Sequence, residues 1–362
     1  MKKKKIVVAI DSFKGSATSQ ELNQAVKKGI HSIRPDIVVE MFEIADGGEG
    51  TISALYHRLG GQIIEVDTVD LLKRPMKASY LLFENKAFIE AAEVVGIDKI
   101  EPSERTILLS STEGLAPLFL DAKTREAKEI ILSLGGTGTS DGGLGLLKAL
   151  GAKVENLVDF EDIDCSTLED FSAIKIIGMA DVKNPYAGAK GFAQYFGKQK
   201  GGTPPILDAQ GQQSQKVVEK VKTNYGIDLQ SIPGTGAAGG LGGALVLLGG
   251  TIEPGFKKIA QLLNIEESIK ESDLVITGEG RMDYQTVNGK VPYAIAKLAE
   301  KHGVPTIAFC GALSDELGKM DEVLLASFSI QQSALSLQEA MEKERTLTNI
   351  EFLAQNVIKL HS

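Results

Sequence analysis

Three short polar loops in this chain of 362 residues carry side chains of the kinds that phosphoryl transfer needs. They cover residues 11–15, 46–49 and 279–283, and each one combines acidic residues with glycine. Glycine lets the backbone approach an anion closely, and Asp and Glu offer the hard oxygen ligands that Mg²⁺ prefers. A lysine in the first loop and an arginine in the third add positive charge. The residue types therefore predict a site that positions a phosphate group and a metal ion.

A fourth loop, at residues 135–143, reads GGTGTSDGG and lies between an apolar run at 130–134 and a predicted helix at 144–150. The amino end of a helix presents unpaired N–H groups and the positive end of the helix dipole, and both favour an anion. The spacing therefore predicts an anion-binding loop, with simple packing as the alternative.

Each of these side chains also has a purely structural interpretation. Asp46 and Glu49 are compatible with a tight turn and a charge at a helix start. Lys14 taken alone is compatible with a solvated surface lysine, and Arg281 with Asp283 is compatible with a local ion pair. The functional interpretation therefore depends on the elements that position the loops.

Those elements have the pattern of a parallel α/β sheet built from both ends of the chain. Apolar runs of strand length end at the polar loops, and residues with helical spacing follow. Because the carboxyl ends of parallel strands meet at one edge of a sheet, the loops are expected to converge. The predicted strands are residues 6–10, 38–44, 274–276, 306–309 and 323–328.

The pattern changes between these two blocks, which indicates a second domain inserted into the first. Alternating, extended pieces occupy residues 63–69, 79–83 and 87–91, and longer glycine-punctuated segments follow. An inserted domain commonly forms one wall of a cleft. We therefore expect residues 1–62 with 272–362 to form one α/β domain, residues 63–271 to form a second, and the active site to lie in the cleft between them.

Composition argues against several other classes of protein. With 39 Lys and Arg against 48 Asp and Glu, the net charge of −9 makes nucleic acid an improbable partner. The uncharged stretch at 232–252 contains eight glycines, which favours a turn and a buried helix over a membrane span. The apolar run after Lys2–Lys5 is too short for a secretory signal, and two distant cysteines fit a reducing compartment, so the cytoplasm is expected.

Two familiar nucleotide motifs are weak or absent. Residues 234–239 match G-x-G-x-x-G, but no convincing strand precedes them, so a dinucleotide site is disfavoured. Residues 288–290 end like a Walker A loop but lack its other glycine and its final hydroxyl residue. The four histidines show no spacing typical of metal ligands or paired bases.

Taken together, six segments resemble the successive signature blocks of the bacterial type I glycerate kinase family. Their order and spacing extend over nearly the whole chain, which makes the set far more specific than any one block. The segments are DSFKGS (11–16), ADGGEGT (45–51), LGGTGTSDGG (134–143), DVKNPYAG (181–188), PGTGAAGGLG (233–242) and TGEGRMDYQT (277–286).

The resemblance implies ATP-dependent phosphorylation of D-glycerate to a phosphoglycerate, with the 2-phosphate favoured over the 3-phosphate. It also implies an α/β fold with a flavodoxin-like or Rossmann-like parallel-sheet domain and an inserted α/β domain. The expected small-molecule partners are D-glycerate and ATP with Mg²⁺, without nucleic acid or membrane, and a homodimer stays open. The inserted domain departs from the usual family pattern at 109–114 and 138–140, so a kinase for another small hydroxy acid and a non-catalytic carboxylate or nucleotide sensor remain alternatives.

On this basis each candidate residue receives a role. Lys14 is expected at the ATP phosphates, and Asp283 or Glu279 is expected to accept the hydroxyl proton. Arg281 is expected to bind the glycerate carboxylate through bidentate hydrogen bonds from its guanidinium. The remaining substrate contacts are assigned to Ser12, Gly47, Gly48 and Glu49. The remaining ATP contacts are assigned to Gly135, Gly136, Thr137, Thr139, Gly142 and Gly236. The Mg²⁺ ligands are expected to be a subset of Asp46, Asp141 and Asp181.

Overall fold

A computed structural model describes residues 3–44, 50–287 and 290–360. Four short 3-10 turns also lie in these ranges, at Ile97–Lys99, Glu113–Leu115, Lys198–Lys200 and Ala237–Gly240. Within these ranges the strands are β1 (Lys5–Ile10), β2 (Val38–Met41), β3 (Gln62–Val69), β4 (Pro75–Phe83), β5 (Lys86–Glu90), β6 (Glu129–Ser133), β7 (Lys153–Val154), β8 (Ile163–Asp164), β9 (Lys175–Met179), β10 (Thr251–Glu253), β11 (Leu274–Gly278), β12 (Arg281–Met282), β13 (Thr306–Cys310), β14 (Ala312–Leu313) and β15 (Ala326–Ser329). The helices in the same ranges are α1 (Ser19–Ile33), α2 (Thr51–Leu59), α3 (Ala91–Val95), α4 (Glu104–Leu109), α5 (Ala116–Thr124), α6 (Leu144–Ala149), α7 (Phe192–Phe196), α8 (Pro204–Tyr225), α9 (Leu241–Leu247), α10 (Gly255–Leu262), α11 (Ile265–Lys270), α12 (Val291–Lys301), α13 (Met320–Val323), α14 (Leu337–Ala340) and α15 (Lys343–Leu360).

The chain divides into two compact units, Met1–Asp46 with Phe256–Ser362 and Gly47–Gly255. Both boundaries lie earlier in the chain than the sequence-based ones at 62/63 and 271/272. Helix α2 belongs to the second unit because it packs on β4 and β5, and the Ile52 N–H donates to the Glu90 carboxylate at 2.6 Å. Helices α10 and α11 belong to the first unit, where α11 packs on α12.

The first unit is built on a five-stranded sheet with the order β2-β1-β11-β13-β15, in which every pairing is parallel. In chain order this is 2-1-3-4-5, the arrangement of flavodoxin-like proteins. The prediction of a parallel α/β sheet drawn from both ends of the chain is confirmed. The last strand is shorter than predicted, because Val323 ends the short helix α13 and β15 begins at Ala326.

Burial explains why the central strands are continuous apolar runs. Strand β1 is buried from Ile6 to Ile10, and β11 and β13 are buried throughout, as expected for parallel strands covered on both faces. Helix α1 begins with the predicted capping box, in which the Thr18 hydroxyl accepts from the Glu21 N–H and the Glu21 carboxylate accepts from the Thr18 N–H. This cap starts the helix directly after the first polar loop.

The second unit contains a six-stranded mixed sheet with the order β10-β9-β6-β5-β4-β3. Strands β3, β4 and β5 pair antiparallel, whereas β5, β6, β9 and β10 pair parallel. The uncharged stretch at 232–252 forms a 3-10 turn, the helix α9 and the start of β10. Among the described residues, no helix combines the length and apolar character that a membrane crossing requires.

Candidate active site

Three strand ends in the first unit open into one pocket of about 680 Å³. The pocket lies at the carboxyl ends of β1, β11 and β13, on the side where the sheet order reverses between β1 and β11. Ligands of open α/β sheets bind in this kind of crevice. Its polar lining consists of Asp11, Ser12, Lys14, Ser16, Glu279, Arg281, Lys290, Gln331 and Thr346.

The loop after β1 is held in place by backbone hydrogen bonds. The Asp11 N–H donates to the Gly278 carbonyl at 2.9 Å, which ties the loop to the end of β11. The Ser12 N–H donates to the Asp11 carboxylate at 2.7 Å, and a tight turn joins Phe13 to Ala17. Lys14 lies in this turn, is exposed and is one of the residues that line the pocket.

Glu279 is a buried carboxylate, 6 % exposed, at the start of the loop after β11. One of its oxygens accepts from the Thr286 hydroxyl at 2.6 Å, and the other accepts from the Lys290 ammonium at 2.7 Å. The Gly311 N–H donates to the Glu279 carbonyl at 3.2 Å. Burial raises the pKa of the Cys310 thiol, next to Gly311, to about 12. Glu279 therefore links the end of β11 to the start of α12, because Lys290 directly precedes that helix.

Arg281 and Asp283 are close in sequence but differ in their surroundings. Arg281 is exposed on β12, which pairs parallel with β14 through Ala312. Asp283 instead forms a local turn, in which its carboxylate accepts from the Gln285 N–H at 2.9 Å. In the part of the chain that the structure describes, no ion pair joins Arg281 to Asp283. Arg281 is one of the residues that line the pocket, whereas Asp283 is not.

The structure thus brings four predicted residues of the first unit together around one pocket. They are Ser12, Lys14, Glu279 and Arg281. Lys290 lines the same pocket and was not predicted, because the sequence around it resembles only an incomplete Walker A ending. Its place directly before an apolar helical pattern was the available signal. The predicted contacts at Asp46, Gly47, Gly48 and Glu49 lie outside the described residues.

The glycine-rich loop of the second unit is organised around Asp141. One carboxylate oxygen accepts from the Thr112 N–H at 2.7 Å, the Thr112 hydroxyl at 2.8 Å and the Gly145 N–H at 3.2 Å. The other accepts from the Gly143 N–H at 3.0 Å. Burial raises the pKa of Asp141, whereas these donors favour its charged form. Asp141 therefore shapes the loop that carries Gly135, Gly136, Thr137, Thr139 and Gly142, and its role toward a metal stays a prediction.

A buried lysine lies under the same loop and was not predicted. Lys200 is 3 % exposed, and its ammonium donates to the Thr139 carbonyl at 2.6 Å. Burial lowers the pKa of Lys200 to about 8, against the opposing effect of Asp141. Nothing in the polar stretch at 198–200 distinguishes this lysine in the sequence, because the side chains around it come from distant segments.

The other predicted residues of the second unit lie in nearby turns. The Asp181 carboxylate accepts from the Gly255 N–H at 3.0 Å, after the end of β9. The Gly236 N–H donates to the Asn184 carbonyl at 3.1 Å, directly before a 3-10 turn. Across residues 3–44, 50–287 and 290–360, no group of three or more His, Cys, Asp or Glu side chains is arranged to hold a metal ion.

The fold and the pocket define the class: an α/β enzyme of two units, whose flavodoxin-like unit gathers lysine, arginine and carboxylate side chains at its strand ends. Comparison with known proteins gives the same class. The pattern of the glycerate kinase family matches residues 6–362. Glycerate kinase of Halalkalibacterium halodurans is 35 % identical over 99 % of this chain and 98 % of that protein. Glycerate 2-kinase of Escherichia coli K12 is 35 % identical over 93 % of each chain.

A solved structure agrees with these relatives. The crystal structure of a Salmonella typhimurium LT2 protein assigned as glycerate kinase 2 is 32 % identical, with a TM-score of 0.86 over 99 % of this chain and 98 % of the other. The chain belongs to the glycerate kinase family.

Proposed function

We propose that this enzyme transfers the terminal phosphoryl group of ATP to a hydroxyl group of D-glycerate and forms 2-phosphoglycerate in preference to 3-phosphoglycerate. The observation that carries the proposal is the pocket of the first unit, where Lys14, Glu279 and Arg281 line one cavity at the ends of parallel strands. Membership of the family and the name of the Escherichia coli relative, glycerate 2-kinase, support the acceptor and the position.

The basic side chains divide between the two anionic reactants. Lys14 is a compact charge on a fixed turn, and it suits the phosphates of ATP. Arg281 presents a planar fork of N–H donors, and it suits the glycerate carboxylate. Lys290 is already paired with Glu279, so it balances that carboxylate next to the reacting groups. Positioning and charge neutralisation supply most of the catalysis in phosphoryl transfer.

Glu279 is the favoured acceptor for the hydroxyl proton, because it lines the pocket. Hydrogen bonds from Thr286 and Lys290 hold its two oxygens, so the carboxylate has a fixed orientation. Asp283 stays the alternative, although its carboxylate is used in a local turn. Because the transition state of phosphoryl transfer is loose, the base contributes less than the groups that bind charge.

Mg²⁺ fits the donor chemistry of the pocket. Asp11 lines it and offers a carboxylate, and Mg²⁺ can be held by a single such ligand beside substrate phosphates and water. When bound, the ion would neutralise charge on the phosphates. The sequence-based assignments to Asp46, Asp141 and Asp181 stay predictions, as does the binding of ATP phosphates by the loop at 135–143.

A coupled assay tests the proposed activity. With ATP, Mg²⁺ and D-glycerate present, we expect ADP to form, and we expect none when D-glycerate is omitted. A panel of small hydroxy acids in the same assay establishes whether D-glycerate is the preferred acceptor. If ATP or D-glycerate raises the midpoint of thermal unfolding but the complete mixture forms no ADP, the result would contradict the proposal and indicate a sensor.

Phosphorus NMR of the product tests the position of transfer. A phosphate on the central carbon of glycerate couples to one proton and gives a doublet, whereas a phosphate on the terminal carbon couples to two and gives a triplet. We expect the doublet. Three expectations from the sequence stay predictions: cytoplasmic localisation, a homodimer and an active site between the two domains. Light scattering of the purified protein tests whether it forms a dimer.

A further inference from the structure

The pocket of the first unit is larger than the acceptor alone requires. Its volume of about 680 Å³ falls within the range of roughly 300–1,000 Å³ that is typical of sites for larger organic ligands. A three-carbon hydroxy acid fills only a small part of such a space. The pocket therefore has room for part of the second reactant as well.

The pocket has two chemically different sides. Its polar side lies at the strand ends, around Lys14 and Arg281. The chain segment after β15 contributes Gln331 and four apolar residues, Leu335, Leu337, Ala340 and Met341, which we call the apolar wall. Leu337 is 76 % exposed and Met341 is 36 % exposed, so the hydrophobic core does not cover them. Several such side chains around one cavity are typical of a ligand site.

The apolar wall is fixed to the rest of the unit. The short helix α14 begins with a capping box between Ser336 and Glu339. The Thr346 and Ser16 hydroxyls form a hydrogen bond of 2.8 Å, which joins the segment to the loop that carries Lys14. Met341 reaches the same loop, because a Cβ added to Gly15 would lie 2.9 Å from its terminal methyl group. The wall is therefore attached to the loop that carries Lys14.

We propose that the apolar wall binds the purine base of the nucleotide, with the phosphates directed toward Lys14; this inference rests on the proposed function. Glycerate carries a carboxylate and two hydroxyl groups on three carbons and has no face to place against leucine and methionine. A purine has a broad apolar face, and burying it against such side chains is favourable. Of the two reactants, only the nucleotide combines an apolar end, which suits the apolar wall, with a polyanionic end, which suits Lys14.

The test replaces apolar surface in the wall with a neutral polar group of similar size. In the full-length enzyme, Leu337→Gln combined with Met341→Gln is expected to raise the KM for ATP about tenfold. The KM for D-glycerate is expected to stay within about twofold, because the acceptor does not contact the wall. Leu325→Gln is the matched control, since Leu325 is 68 % exposed in the same unit and does not line the pocket.

Two competitors separate the base from the phosphates. Adenosine carries the base alone, and we expect it to inhibit the double variant about tenfold more weakly than the parent. Tripolyphosphate carries the phosphates alone, and its inhibition is expected to be the same in both proteins. An unchanged KM for ATP together with a raised KM for D-glycerate would overturn the proposal, because the wall would then serve the acceptor. Unchanged constants for both reactants would overturn it as well.

Failure of the activity and failure of this inference are distinguishable. If the parent forms no ADP with D-glycerate, the proposed function is wrong, and binding of a fluorescent ADP analogue still tests the wall. Weaker binding of that analogue by the double variant, with the thermal midpoint unchanged, supports the base site. Equal binding by both proteins contradicts it.

Discussion

Individual charged side chains in the pocket of the first unit differ in what surrounds them. Lys14 and Arg281 are exposed and line the cavity, whereas Lys290 is bound to the buried Glu279. An exposed cation keeps its hydrogen-bonding capacity for a ligand, while a paired one has used part of it. The two exposed cations are therefore the residues on which the binding of anionic reactants depends most.

Substitution of these two cations is expected to separate the reactants. Arg281→Met should raise the KM for D-glycerate about ten- to a hundredfold, since a charge-assisted, two-pronged contact is lost. Lys14→Met should instead raise the KM for ATP by a comparable factor. Steady-state kinetics with each reactant varied in turn checks both. Lys319→Met is the control, because Lys319 is exposed in the same unit and does not line the pocket. If both variants affect the same reactant, the division of roles is wrong.

Lys200 makes stability depend on pH in a defined direction. Its pKa is lowered to about 8 in the folded protein, so between about pH 8 and its ordinary value of 10.5 the unfolded chain binds more protons. The free energy of unfolding should therefore rise with pH through this window and fall as pH drops toward 8. Relative to Lys200→Met, which cannot titrate, the parent should gain on the order of 2 to 3 kcal/mol across the window.

Denaturant unfolding of the two proteins at several pH values between pH 7 and 10.5 measures this difference. Taking the difference removes the contribution of other titrating groups that both proteins share. Lys198→Met is the control, because Lys198 is an exposed neighbour and should show the dependence of the parent. If the free energies of unfolding of the parent and Lys200→Met differ by the same amount at every pH, the pKa of Lys200 is not lowered in the folded protein.

At the scale of elements, the first unit depends on how closely two helices approach. Helices α1 and α15 pack against each other, and Gly29 of α1 lies at their contact. A Cβ added to Gly29 would lie 2.4 Å from the Glu351 carbonyl oxygen, which is shorter than any real contact of this kind. Here glycine is required by the neighbouring backbone rather than by its own conformation.

Replacing glycine by alanine in two helices should therefore have opposite effects. Alanine normally favours a helix interior by roughly 0.5 to 1 kcal/mol over glycine. Gly211→Ala in α8 should be neutral or stabilising, because the nearest atom is the Gln194 side-chain amide nitrogen at 3.3 Å, which has to shift by only a few tenths of an ångström. Gly29→Ala should lower the free energy of unfolding by about 1 to 3 kcal/mol, because α15 must move away. Thermal unfolding compares the two; a stabilised Gly29→Ala would contradict the described packing.

At the scale of the whole molecule, the net charge of the protein has the same sign as the charges of its two reactants. The chain carries a net charge of −9, while ATP and glycerate are anions. Around the pocket, three cations (Lys14, Arg281 and Lys290) face two carboxylates (Asp11 and Glu279), a local balance of +1. Binding of the anionic reactants therefore relies on the positive local potential of the pocket, which is opposite in sign to the net charge of the protein. Salt screens such a potential.

The affinity for ATP should consequently fall as ionic strength rises. We expect the KM for ATP to increase about five- to tenfold between low and high salt at constant free Mg²⁺. In Lys14→Met the same increase should be clearly smaller, because the cation that salt screens has been removed. Salt titration of the parent, Lys14→Met and the Lys319→Met control measures the effect. Equal salt dependence in all three would show that Lys14 does not contribute to the field at the nucleotide.

Local pattern was sufficient to predict the central strands of the first unit and the family. A strand buried on both faces must be continuously apolar, so residues 6–10, 274–276 and 306–309 were recognisable without a partner in view. The capping box of Thr18 and Glu21 was recognisable for the same reason, because it uses residues three positions apart. The candidates Ser12, Lys14, Glu279 and Arg281 followed from the rule that parallel strands end at one edge.

Contacts between distant segments were decided only by the tertiary structure. Lys200 is a buried charge because it meets the carbonyl of Thr139, which lies 61 positions away. Lys290 belongs to the pocket because it reaches Glu279, and the apolar wall faces Lys14 because Thr346 bonds to Ser16. Periodicity and composition report which residues avoid water; they do not report which partner each one meets, because that depends on how the elements pack.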